Sequence, residues 1–298
     1  TEWNRVLDST TFNGQKVLSS KEGTLTLQAG MGTDSVLQAA FGSAEAAAQD
    51  DTMRTSVASD GAQGDAAADF NSSISANGRY IAFTSAATNL VAGDSNGWWD
   101  VFLRDLLTGT TVQVSTSAQG VQGNNESRYA SVSADGDFVA FSSTATNLVA
   151  DDSNGATDIF VKNVTTGEIV IASSNSSGLQ GNGSSSNPKI TTDGRYVVFS
   201  SSASNLVAGD TNGTSDVFIK DLQTGEIRIA STDSGGGLAN GSSGLPAISS
   251  DGRYVTFESL ATDLVAGDSN GRQDVFLKDL HTGQTSIVST DSNGVLGN

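Results

Sequence analysis

The feature that most constrains this chain is a period of 58 residues that recurs without gaps. The segments NLVAGDSNGWWDVFLRDLLTG, NLVADDSNGATDIFVKNVTTG, NLVAGDTNGTSDVFIKDLQTG and DLVAGDSNGRQDVFLKDLHTG begin at Asn89, Asn147, Asn205 and Asp263. A second landmark, ISANGRYIAF at Ile74, VSADGDFVAF at Val132, ITTDGRYVVF at Ile190 and ISSDGRYVTF at Ile248, keeps the same spacing. A third landmark, the linker pattern GxxGN, stands at Gly120, Gly178 and Gly294, with looser versions at Gly61 and Gly236. One structural unit is therefore built four times, and each copy must bury its apolar faces against a neighbour.

Within a copy the signals are those of strands. In the first, residues 71–75 and 80–85 flank Asn77-Gly78, and residues 100–106 and 111–116 flank Thr108-Gly109. Asn-Gly and Thr-Gly supply the positive φ of tight turns between β-rich runs. Four antiparallel strands with no room for a crossover helix predict an all-β fold. The expectation is a β-propeller of four 58-residue, four-stranded repeats spanning residues 54–298. Residues 1–53 fall outside the repeat. Short strands are expected at 2–7, 16–20, 24–28 and 35–38, open to reading as a degenerate fifth blade, and the alanine-rich 43–49 reads equally as a short helix or a linker.

The phrase S-x-D-G-R-Y-V/I-x-F followed by D-V-F-L/I-K-D-L-x-T-G resembles the TolB-like β-propeller repeat, a relative in architecture of WD-repeat propellers. It departs from that family by a longer loop, N-L-V-A-G-D-x-N-G-x-x, between the second and third strands. The resemblance implies the fold and says little about function, because propellers serve many ends.

Composition narrows the chemistry. With 33 acidic and 15 basic residues the formal charge is -18, and no basic cluster interrupts it, so nucleic acid and anionic membranes are poor candidate partners. There is no cysteine, hence no disulfide and no thiolate metal site, and any metal must be held by oxygen. No apolar run approaches the roughly 20 residues of a membrane span. Lack of an initiating Met and an end partway through a repeat suggest a piece of a longer chain.

The long loop carries D-x-N-G-x-x-D in every copy: Asp94, Asn96 and Asp100; Asp152, Asn154 and Asp158; Asp210, Asn212 and Asp216; Asp268, Asn270 and Asp274. Aligned on the calcium loop D-x-D-x-D-G-x-x-D, these fall at positions three, five and nine, with a carbonyl from Trp98, Ala156, Thr214 or Arg272 at seven. The arrangement resembles the calcium-binding hairpin loops of integrin-type propellers. Position one is alanine (Ala92, Ala150, Ala208, Ala266), and the oxygen-bearing Asn89, Asn147, Asn205 or Asp263 stands five residues before the first Asp as a substitute. Two carboxylates per site suit calcium at the weak, extracellular end of the scale, about 10⁻⁴ to 10⁻³ M. The competing reading is that these residues only cap turns through side-chain hydrogen bonds. Turn caps are expected at Asp105, Asn163, Asp221 and Asp279, and at Asp135, Asp193 and Asp251 before the hairpin glycines.

Catalytic groups should break the repeat. The lone His281 sits at a variable turn position, and Glu126 and Glu258 are solitary, so no triad and no glycosidase pair is assembled. The other break is Trp98-Trp99, where later copies carry Ala-Thr, Thr-Ser and Arg-Gln, a pair suited either to a glycan or protein partner or to packing on the neighbouring segment. The reading is a non-enzymatic, calcium-binding structural or adhesive module, secreted or at the cell surface with the periplasm also open, and able to form a homo-oligomer or filament. Its rivals are the propeller domain of a larger secreted enzyme acting on polysaccharide or peptide, and a metal-independent periplasmic interaction propeller.

Overall fold

In the computed structural model the described residues are 52–69, 71–292 and 294–296, together with strands 11–12, 15–16, 23–28 and 36–41. The chain divides into two compact units, Thr1–Met53 and Arg54–Asn298. In the first, β1 (Thr11–Phe12) pairs with β2 (Gln15–Lys16), and β3 (Gly23–Gln28) pairs in full register with β4 (Val36–Phe41). Both pairs are antiparallel. Among the described residues these form two two-stranded sheets. The strand expected at 2–7 and the helix or linker at 43–49 lie outside the described residues.

The second unit is the repeat made solid. Blade 1 consists of β5 (Ser73–Ile74), β6 (Tyr80–Ser85), β7 (Asp100–Asp105) and β8 (Thr110–Gln113). Blade 2 follows as β9 (Ser127–Val132), β10 (Phe138–Ser143), β11 (Asp158–Asn163) and β12 (Ile169–Ile171). Blade 3 is β13 (Ser185–Ile190), β14 (Tyr196–Ser201), β15 (Asp216–Asp221) and β16 (Ile227–Ile229), and blade 4 is β17 (Ser243–Ile248), β18 (Tyr254–Ser259), β19 (Asp274–Asp279) and β20 (Thr285–Ile287). In every blade the strands hydrogen-bond in sequence order as an antiparallel meander. The fold is an all-β propeller repeat, and no helix occurs among the described residues.

The two middle strands of blades 2 and 3 are buried along nearly their whole length, on both faces, whereas burial alternates along the middle strands of blade 4. Phe141 of β10 lies opposite Phe160 of β11, with ring centroids 5.8 Å apart, and the equivalent pair recurs in each blade. The core lies between blades. Ala82, Val101, Leu103 and Val114 of blade 1 form one cluster with Ala130, Val132, Val139 and Phe141 of blade 2. Each fully buried large side chain contributes roughly 1.5–3 kcal/mol, so a blade is stable through its neighbour. A close approach reinforces that seam: Gly136, at φ 82° in the first hairpin of blade 2, leaves room for the Tyr80 ring of blade 1, and a Cβ there would fall 2.5 Å from it.

The long loop is held down by its own sequence. Leu90, Leu148, Leu206 and Leu264 from the N/D-L-V segment are each buried to within 2% of complete. These leucines pin one end of the loop in the core, and the D-x-N-G-x-x-D stretch then leads into the third strand.

Candidate metal centre

The second Asp of each loop opens the third strand and is buried, completely so at Asp100, Asp158 and Asp216. Burial alone would drive such carboxyls neutral, and their pKa values are raised, chiefly by desolvation. Hydrogen bonds oppose that shift. In blade 2, Ser173 donates to Asp158 Oδ1 at 2.6 Å, and Asn154 Nδ2 donates to Oδ2 at 2.8 Å. Asn154 also donates to the Gly181 carbonyl of the next linker, and its Oδ1 accepts from the Ala156 amide. Ser173 in turn accepts from the Ile159 amide. The Asn-to-Asp and Ser-to-Asp bonds recur in all four blades, at Asn96, Asp100 and Ser115, at Asn212, Asp216 and Ser231, and at Asn270, Asp274 and Ser289.

The first Asp is treated differently. Asp152 Oδ1 and both carboxylate oxygens of Asp268 are buried without a hydrogen-bond partner, as is the Thr214 hydroxyl in the third loop. Asp268 is 8% exposed and Asp210 9%. All four first-position carboxyls are pushed up by desolvation and then by the charge of the second Asp. Asp152 reaches about 6. At Asp268 the nearby Asn270 amide offsets the rise only in part, without a hydrogen bond of good geometry. In the first loop Gln122 Nε2 reaches Asp94 Oδ1 at a long 3.3 Å. Leucine stands at that linker position in the third and fourth copies, as Leu238 and Leu296.

The structure thus brings the two aspartates of each loop into electrostatic contact and, in the second and fourth loops, leaves oxygens of the first, Asp152 and Asp268, unsatisfied. Among the described residues no group of three or more His, Cys, Asp or Glu side chains is placed to hold a metal. A cation here would rest on the Asp pair with carbonyl, hydroxyl or water oxygens. Two expected ligands are used otherwise. The Asn turns its amide nitrogen, not its oxygen, toward the second Asp. Asn89, Asn147 and Asn205 clamp the linker, accepting from the amides of Asp65, Asn124 and Asn182 and donating to the carbonyls of Gln63, Gln122 and Gln180. Asp263 accepts from the Asn240 amide in the same way. The candidate for position one therefore clamps the linker that enters its own blade.

The remaining polar residues have structural partners. Asp105 caps the turn amides of Leu107 and Thr108, as expected, and also takes a two-pronged ion pair from Arg79 at 2.7–2.8 Å. Arg195 with Asp221 and Arg253 with Asp279 repeat it, and in blade 2 both partners are replaced together, by Asp137 and Asn163. His281 is exposed, and Glu258 accepts from Gln273. Trp98 is 46% exposed, whereas Trp99 lies under the Arg128 guanidinium, 4.3 Å from ring centroid to Cζ.

No family model matches the sequence, and no curated protein matches it. Solved structures of similar fold include a TolB-type protein from Agrobacterium tumefaciens, 16% identical over 74% of this chain with a TM-score of 0.48. TolB from Acinetobacter baumannii is 20% identical over 76% of the chain, TM-score 0.44, and the β-propeller domain of the trilobed protease from Pyrococcus furiosus is 9% identical over 75%, TM-score 0.41. The chain spans 64%, 44% and 57% of those three proteins. At such identities and TM-scores the likeness says nothing of function.

Proposed function

We propose that this chain is a non-enzymatic propeller module, stabilised by calcium in its four long loops, that works as a structural, adhesive or interaction element outside the cytoplasm. The observation that carries this reading is the pair of a hydrogen-bonded Asp and a desolvated Asp with an unpartnered oxygen, seen at Asp158 with Asp152 and again at Asp274 with Asp268. Two adjacent buried carboxylates repel unless one is protonated or a cation lies between them. Oxygen ligands and irregular loop geometry favour calcium over magnesium, which demands a strict octahedron. A requirement for roughly millimolar calcium would be met outside cells and not in the cytosol. The electronegative, cysteine-free surface agrees with that placement.

Thermal unfolding of the chelated chain, with calcium or magnesium added back, tests the proposal. A ligand that binds only the native state stabilises it by about 2.7 kcal/mol per site at roughly 100 times Kd. A calcium-selective rise in Tm, abolished when Asp94, Asp152, Asp210 and Asp268 are changed to Ala, is expected. An unchanged Tm at millimolar calcium would reduce the loops to capped turns and favour a metal-independent interaction propeller.

A further inference from the structure

The positions where the repeat fails cluster in space. On blade 2 the entry to the first strand reads Glu126, Ser127, Arg128, Tyr129, whereas the same positions in blade 3 are Ser184, Ser185, Ser186, Asn187. The fold does not need the blade 2 residues, since blade 3 does without them. Arg128 is held from three sides: Nε donates to Glu126 Oε2 at 3.1 Å, Nη1 donates to Asp69 Oδ2 at 3.1 Å, and the guanidinium lies over the Trp99 ring. Trp99 is itself a break in the repeat, with Thr157, Ser215 and Gln273 as its counterparts. Such a locked cation is prearranged to donate hydrogen bonds at little entropic cost.

Tyr129 adds a second, independent sign. A β-bulge between β9 and β10 places it at φ 58°, and Asn187 and Leu245 occupy the same left-handed position in blades 3 and 4. Asn tolerates that conformation and an aromatic residue does not, so Tyr129 carries backbone strain that its blade 3 counterpart avoids. Leu245 keeps the same strain, so it is the place of Tyr129 in a cavity wall beside Arg128 and Glu126, and not strain alone, that points to a role for its side chain.

These residues open onto a cavity of about 280 Å³ between blades 2 and 3. It is lined by Glu126, Arg128 and Tyr129 together with a set of hydroxyls, among them Thr144 and Thr157 of blade 2 and Ser184 of blade 3. An aromatic face beside dense hydroxyls and a locked ion pair suits a sugar ring, which offers a C–H face for stacking and vicinal hydroxyls for paired hydrogen bonds. Two carboxylates around a single guanidinium disfavour anions. The lining has no deep apolar recess for a peptide side chain.

We propose that the cavity between blades 2 and 3 is a binding site for a neutral saccharide, stacked on Tyr129 and hydrogen-bonded by Arg128 and Glu126, with Trp99 as a positioning residue. The site rests on no part of the calcium reading. It is tested by titration calorimetry of the whole chain with maltotriose, cellotriose and chitotriose, and with trialanine as the peptide probe. The decisive variant restores the blade 3 residues: Glu126→Ser, Arg128→Ser, Tyr129→Asn. Because blade 3 folds with these side chains, the variant should keep its cooperative melt while saccharide affinity falls by about tenfold or more. Trp98→Ala, on an exposed loop side chain, should leave affinity unchanged. The proposal is overturned if none of the three sugars binds at about 10 mM, the weak limit of useful recognition. It is equally overturned if a sugar binds with the same affinity to the restored variant, or if trialanine is the probe that binds and is lost with these substitutions.

Discussion

Ser173 donates a 2.6 Å hydrogen bond to Oδ1 of the wholly buried Asp158, fifteen residues before it, and takes the Ile159 amide proton in return. That hydroxyl joins the fourth strand's end to the third strand's start. Ser173→Ala would leave a buried carboxylate oxygen and a buried amide unpaired together. Loss of about 2–3 kcal/mol in denaturant-monitored stability is expected, well above an ordinary surface change. A loss near zero would mean that water replaces the serine.

The first Asp predicts a crossing of effects. Its raised pKa of about 6 at Asp152 means that the native state holds a proton which the unfolded chain, with the ordinary value of 3.8, has already released. Between those values the native state binds more protons, so stability of the calcium-free protein falls as pH rises from about 4 through about 6. Asp152→Asn removes the titrating charge. In chelator at pH 7.5 the variant should melt above the parent, and in saturating calcium below it, because a ligand has gone. Melting curves at two pH values, each with and without calcium, read this directly; a variant that melts lower under all four conditions would contradict it.

The turn-like position at φ 47° occupied by Leu245 is a strained site whose side chain is 57% exposed. Leu245→Asn should therefore stabilise the protein by about 1 kcal/mol, the usual cost of a left-handed conformation for a branched L-residue. Equilibrium unfolding of the single variant measures it, and a destabilisation would show that the leucine side chain packs in a way that outweighs its backbone.

Much of this molecule was legible because repetition separates structural residues from the rest. The four blades, the middle strands and the hairpins at Asn77-Gly78 and its equivalents follow from spacing and turn chemistry, and the caps at Asp105, Asp221 and Asp279 stand where expected. What escaped was long-range. The Asn of the loop was read as an oxygen ligand, but its amide nitrogen faces Asp100, Asp158, Asp216 and Asp274, because Ser115 and its counterparts had already fixed the other carboxylate oxygen. Asn89 has the spacing of a ligand, and only the fold of the linker entering the blade shows its partners, Gln63 and Asp65. Glu126 was visible as solitary, yet its pairing with Arg128 and the stack on Trp99 depend on a bulge that no local pattern announces. The useful signal was the misfit of Glu126, Arg128 and Tyr129 against Ser184, Ser186 and Asn187.

Equilibrium dialysis of the chelated, purified chain against calcium is the most direct test of the central claim, because it counts bound ions without relying on stability. The account predicts about one calcium per long loop at millimolar concentration, with the count falling by one in Asp152→Asn. Retention of no calcium, or a count unchanged by that substitution, would contradict it.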